Sequence, residues 1–198
     1  MTLYRSPDHD IAPLFINRWS PRALSGDAIE QAELFALFEA ARWAPSANNS
    51  QPWRFIYALK SSPSWPQLFD LLNENNQRWA VNASALIVLV SKTTHLRKDA
   101  AEATPLYSHS FDAGAAWASL AFQAEHAGWR THAIGGFDKV KAKEVLNVPD
   151  GYRIEVAIAI GKQAERSSLP LELQEREQPN SRKPVHQLVA EGRFAFEE

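Results

Sequence analysis

The sequence predicts one mixed helix-and-strand domain, of the α+β or the α/β class. Three observations carry that reading. Ile154, Val156, Ile158 and Ile160 alternate strictly, which is the two-residue period of a strand. Phe111 to Ala127 keeps a helical pattern and is crowded with alanine. Helix-like and strand-like stretches interleave along all 198 residues, with no internal repeat and no low-complexity linker.

Taken in order, residues 1–26 read as a lead-in to the first long helix. Asp27 looks like an N-cap with Glu30 three residues on, and Leu34, Leu37, Phe38 and Ala41 follow at helical spacing. A helix over 28–43 is expected, stopped by Pro45. Arg54 to Leu59 reads as a strand, and 65–76 as a helix entered through Pro66. Ala85 to Val90 is an unbroken apolar run, suited to a strand buried on both faces. Residues 94–107 fit neither period. In the helix over 111–127 the small side chains let another backbone come close, at the centre of the fold or at a subunit interface, and Gly128 sits where a C-terminal cap belongs. A short strand over Arg130 to Ile134, a turn at Gly135-Gly136-Phe137 and a helix near 138–146 precede the alternating strand. The last segment, about 165–198, is charged and holds prolines, with too few apolar residues for a core of its own. It is expected to hang loose or to dock elsewhere, a partner subunit being the natural surface.

Composition narrows the function. Hydrophobic residues are 45% and charged residues 22%, as in globular proteins, and the net charge of -2 gives no reason to expect nucleic acid or an anionic membrane as a partner. The chain has no cysteine, which excludes disulfides, thiolate metal sites and a cysteine nucleophile. The polar N-terminus lacks the apolar core of a signal peptide, and 85–90 is too short to span a bilayer, so a cytoplasmic protein is expected. No histidine pair has helical metal-ligand spacing, and no Gly-x-Ser-x-Gly elbow is present.

Three segments carry candidate chemistry. Arg18, Ser20 and Arg22 place two guanidinium groups around a hydroxyl, a donor set that suits phosphate, although a solvated basic turn is the commoner meaning of such a pentapeptide. Ala44 to Trp53, between a helix and a strand, is dense in small hydrogen-bonding side chains and bounded by Pro45 and Pro52. Ala133 to Phe137 carries a Gly-Gly turn that lets a backbone approach a ligand, yet it lacks the third glycine of a dinucleotide fingerprint. His109 and His132 are possible proton donors, but a lone histidine is more often a structural hydrogen-bonder.

In this order the segments resemble the nitroreductase family. The shared features are Arg18-x-Ser20-x-Arg22, the Ala-Pro-Ser-x-x-Asn-x-Gln-Pro-Trp run from Ala44 to Trp53, Gly136-Phe137 after a short strand, and Ile160-Gly161 closing the alternating strand. The resemblance covers nearly the whole chain. It implies an α+β sandwich, α-β-α, around a mixed, mainly antiparallel sheet. It also implies a homodimer that exchanges its C-terminal extension and binds FMN in two clefts at the interface. Carried over by position, Arg18 and Ser20 hold the phosphate and ribityl chain, and Arg22 faces the pyrimidine edge. Pro45, Ser46 and Asn49 reach the same flavin from the other subunit. Asn76 bonds the pyrimidine ring, Gly135 and Gly136 lie against the flavin with the Gly136 amide near N5, and Arg182 returns to the phosphate. Gly136 and Arg22 are then the groups nearest the reacting atoms. NADH or NADPH is the implied electron donor in a ping-pong cycle, and nitroaromatics, quinones or related small molecules are the acceptors.

The chain departs from some relatives at Trp79, where they have lysine, at Gly135, where they have an acid, and at Asn180, where they have another lysine, with Lys183 close by. Specialised members that cleave carbon–halogen bonds, reduce enals or fragment flavin remain alternatives, as does an FMN-binding protein without turnover. Acceptor choice is expected to lie in lid residues around 94–110, and no Rossmann acid or basic pocket selects between NADH and NADPH.

Overall fold

The computed structural model describes residues 5–96, 98 and 101–196. Residues 1–4 of the lead-in, 97, 99 and 100 of the expected lid, and 197–198 of the arm lie outside the described residues.

The strands are β1 (Trp53–Leu59), β2 (Ala85–Lys92), β3 (Thr94–His95), β4 (Thr104–Pro105), β5 (Arg130–Ile134) and β6 (Tyr152–Gly161). Four of them form the central sheet in the order β1-β2-β6-β5, and every pairing in it is antiparallel. A register shift between Leu89 and Val90 bends β2 against β6. The ambiguous segment after β2 holds the small β3–β4 pair.

The helices are α1 (Pro13–Asn17), α2 (Gln31–Arg42), α3 (Trp65–Phe69), α4 (Glu74–Ala80), α5 (His109–His126), α6 (Lys139–Val145) and α7 (Leu171–Gln174). They cover both faces of the sheet. On one face Leu86, Val88 and Val90 of β2 pack with Leu68, Trp79 and Ala142 from α3, α4 and α6. On the other, Ile87 and Leu89 pack with Leu34 and Leu37 of α2 and with Ala116, Leu120 and Ala124 of α5. The unbroken apolar run in β2 follows from this, because both of its faces are buried. The result is the expected α-β-α sandwich of the α+β class.

Two local expectations shift. The cap of α2 is Glu30 with Glu33, not Asp27 with Glu30: the Glu33 carboxylate accepts the Glu30 N–H at 3.1 Å. Residues before it stay out of the helix because the Asp27 carbonyl accepts the Ser84 hydroxyl. The helix expected over 65–76 is two helices. Leu72 makes a β-bridge with Phe137, and Asn73 then caps α4 by accepting the Asn76 N–H at 3.0 Å. Gly128 does close α5: at φ +79° it lets its own N–H reach the Glu125 carbonyl and the Trp129 N–H reach that of Ala124.

Candidate functional site

The backbone from Arg18 to Ala23 leaves α1 and is fixed from several directions. The Arg18 N–H donates to the Leu14 carbonyl. His132 on β5 bonds the Pro21 carbonyl through Nδ1 at 2.9 Å. The Ala23 carbonyl accepts the Ala164 N–H at 2.9 Å, and Leu24 bridges Gln163 beyond β6. On the far side one oxygen of Glu177 accepts the N–H groups of Arg22 and Ala23, each at 2.8 Å. Ser20, Arg22 and His132 then form one wall of a cavity of about 610 Å³, and arm residues including Arg176, Asn180 and Ser181 form the other. That volume is in the range of small-molecule sites.

Positive charge gathers beside this cavity. Ser181 is shared with a second cavity that Arg5 and Arg182 line. Burial, and then Arg182, lower the pKa of Arg5 and of Arg18 below the ordinary guanidinium value. Glu125 is the opposing acid, and Arg130 already holds it at 2.6 Å. Among the described residues, the Arg18 guanidinium makes one long hydrogen bond, 3.5 Å to the Ser20 hydroxyl. Three cations therefore share a place with little to neutralise them, which is the electrostatic form of an anion site.

A chain of contacts leads from there to the Gly-Gly turn. The His132 ring lies 4.6 Å from the fully buried Trp79 ring. Trp79 Nε1 donates to Asn76 Oδ1 at 3.2 Å, and Asn76 Nδ2 donates to the Gly136 carbonyl at 3.0 Å. The expected residues Ser20, Arg22, Asn76 and Gly136 thus belong to one connected group. A Cβ on Gly136 would lie 2.5 Å from Asn73 Nδ2 and 2.8 Å from Asn76 Nδ2, so only glycine leaves both amides in place. Gly135 faces open space.

His132 is a structural hydrogen-bonder, spent on the Pro21 carbonyl. Burial, opposed by the Pro21 and Ser20 carbonyls and helped by Arg22, lowers its pKa to about 4. A neutral imidazole bonded to a carbonyl through Nδ1 carries its proton there. His109 belongs to a different cluster, with Nδ1 2.7 Å from the Ser91 hydroxyl and 3.4 Å from the Glu155 carboxylate.

Pro45, Ser46 and Asn49 are placed elsewhere. Their loop follows α2, is partly wound as a 3-10 turn at Ala47–Asn49, and is tied to α5 where Asp112 accepts the Ala47 N–H at 3.2 Å. Among the described residues no hydrogen bond joins this loop to the Arg18–Gly136 group. Sequence reasoning missed Arg5 and Glu177. Each acts on backbone far along the chain, and neither sits in a local pattern that points to it.

Comparison with known proteins adds four findings. A sequence model described as the nitroreductase family matches residues 16–78 and 58–162. A crystal structure described as an oxidoreductase containing FMN superposes with a TM-score of 0.94 at 45% identity, covering 98% of this chain and 97% of that one. A Bacillus subtilis protein provisionally named NAD(P)H nitroreductase MhqN is 26% identical over 84% of this chain and 90% of its own length. A Streptomyces coelicolor protein provisionally named NADH dehydrogenase/NAD(P)H nitroreductase is 31% identical over a shorter span, 44% of this chain and 43% of its own.

Proposed function

Because the chain belongs to the nitroreductase family, we propose that it is an FMN-dependent oxidoreductase. It takes hydride from NADH or NADPH and delivers it to a small acceptor such as a nitroaromatic or a quinone in a ping-pong cycle. The observation that carries the reading is the gathering of Arg5, Arg18 and Arg182 beside the cavity that Ser20 and Arg22 line, Arg5 and Arg182 lining a second cavity that shares Ser181 with it.

The donor set fits FMN. A phosphate dianion answers three mutually repelling guanidinium groups. The Gly135–Gly136 turn, open at Gly135 and closed to a side chain at Gly136, leaves room for a flat ring to approach backbone. When bound, FMN supplies the hydride relay between donor and acceptor. The protein's own part is binding and electrostatics. Arg18, Ser20 and Arg182 hold the phosphate and ribityl end. Arg22 would hold a positive charge beside the ring, which favours its reduced form. Asn76, held by Trp79 and Gly136, would fix the ring laterally, and the Gly136 amide would donate to its edge.

A second subunit supplies Pro45, Ser46 and Asn49 to the shared site, the arrangement that the family resemblance implies. The arm from about residue 165 contributes to that assembly. Past Lys183 it exposes Leu188, Val189 and Phe194, apolar side chains suited to a partner's surface. Among the described residues no helix is long and apolar enough to cross a membrane, and a cytoplasmic setting would supply NAD(P)H.

The test is the visible absorption spectrum of the purified protein under anaerobic conditions, before and after NADPH or NADH. Oxidised-flavin bands that bleach with either nucleotide support the reading. A colourless protein that takes up no added FMN overturns it.

A further inference from the structure

We infer that Glu177, on the C-terminal arm, is a positioning residue for the cofactor site: it clasps the arm to the Arg18–Arg22 segment and so holds the two walls of the cavity together. The inference rests on the function proposed above.

Glu177 is only 7% exposed, and a buried carboxylate needs compensation. The compensation comes from backbone. Oε1 accepts the N–H groups of Arg22 and Ala23, each at 2.8 Å, and Oε2 lies 3.1 Å from the first of them. Hydrogen bonds to a charged acceptor are about twice as strong as neutral ones. The amides belong to Arg22 itself and to its neighbour, 155 and 154 residues away in sequence.

A second tie lies at the other end of the same contact. Arg5 donates through NH1 to the Arg18 carbonyl at 2.7 Å and through Nε to the Asn180 carbonyl at 2.9 Å. Arg18 is thereby joined to Asn180, and Arg22 and Ala23 to Glu177. The two segments pass each other with opposite sense, sewn at both ends. Between the ties, Ser20 and Arg22 line the cavity from one side, and Gln178, Pro179 and Asn180 from the other.

Arg22 and Asn180 are bonded in the ties and also line the cavity, so both walls depend on the ties. A chain with the arm undocked has half a cavity. Apparent affinity for a ligand falls in proportion to the fraction of molecules in the competent arrangement.

The experiment compares wild type with Glu177→Ala, Glu177→Gln and, as a control, Glu191→Gln at an exposed arm position. The readouts are the FMN dissociation constant of the FMN-stripped protein, by fluorescence titration, and the rate of tryptic cleavage after Arg182 without FMN, a bond that the substitutions do not alter. Glu177→Ala leaves two amides without a partner and should weaken FMN binding roughly ten- to hundredfold. Glu177→Gln keeps an oxygen that can accept both amides but loses the charge, and should cost about threefold. The control should match wild type, and cleavage should accelerate in the same order as affinity falls. An alanine variant that binds FMN within about twofold of wild type overturns the inference, even if it melts earlier. If that variant does not fold, Glu177→Gln alone carries the test, and FMN binding and cleavage that both match wild type overturn the inference. A wild type that takes up no FMN, while cleavage still follows the predicted order, overturns the cofactor reading and the positioning role but leaves the clasp itself standing.

Discussion

The Arg18–Ala23 segment and the Ala44–Gln51 loop are both short polar connectors beside a helix, and the chain treats them differently. The first is bonded by β5, by the strand exit after β6, by Arg5 and by the arm. The second is largely exposed and is tied to the rest of the molecule at Ala47 by Asp112. Its backbone carries three non-glycine residues at positive φ, Asn48 at 52°, Asn49 at 53° and Gln51 at 45°. Its bonds are mostly internal: Ser46 accepts the Gln51 N–H at 3.0 Å, and Gln51 Nε2 donates to Asn49 at 3.0 Å. Left-handed backbone at such residues costs on the order of 1 kcal/mol each and is retained where function needs it. The contrast separates a connector that its own chain fixes from several sides from one that the rest of its chain holds at few points.

The largest effect would come from testing that separation directly. Arg18→Ala and Asn49→Ala dimers should each lose FMN binding and activity. When the two are unfolded together and refolded, half of the dimers are mixed, and each mixed dimer regains one intact site. About a quarter of wild-type activity should return. No gain over the parents would place both elements in one subunit's site and dissolve the contrast.

A smaller effect concerns the imidazole beneath the first segment. Unfolded, His132 takes up a proton near its ordinary value of 6.5; folded, it does so only at about 4. Between those values the unfolded state holds more protons, so native stability is full above pH 6.5 and falls as the pH drops towards 4. The loss is on the order of 3 kcal/mol. Urea midpoints at pH 7.5 and 4.5 should diverge more for wild type than for His132→Gln, which keeps a donor for the Pro21 carbonyl. Equal divergence would remove His132 as the source.

The smallest effect lies in the strained loop. Asn48→Gly should raise stability by no more than about 0.5 kcal/mol, because glycine adopts positive φ freely. Asn48→Ala should lower it by about 1 kcal/mol, since alanine does not. Thermal melts of both variants check the sign. Two equal melts would mean that the loop relaxes in solution.

The sequence made much of this visible where the signal is local. The strand at Arg130–Ile134 and the alternation of Ile154 to Ile160 were legible from residue type, with β-branched side chains alternating with smaller ones in β6, whose two faces are both buried over 157–161. The Gly128 cap was legible because few residues fit a left-handed helix end. The break at Leu72–Asn73 was hidden, since it depends on a bridge to Phe137 rather than on a helix breaker. The site divides in the same way. Arg18, Ser20, Arg22, Asn76 and Gly136 lie in recognisable runs, and the fold brings Ser20, Arg22, Asn76 and Gly136 into one group. Arg5 and Glu177 bond backbone across the length of the chain, and any Arg or Glu would look the same in sequence.

The guanidinium cluster bears on more than recognition. Like charges held together in an empty site oppose the compact state that gathers them. A ligand that neutralises them, present at a hundred times its Kd, adds about 2.7 kcal/mol to the native side. Differences of that size alter how much of a protein escapes degradation in a cell. On the proposed reading, the standing amount of this chain follows the supply of phosphorylated flavin. A shortage removes the polypeptide by turnover as well as silencing it.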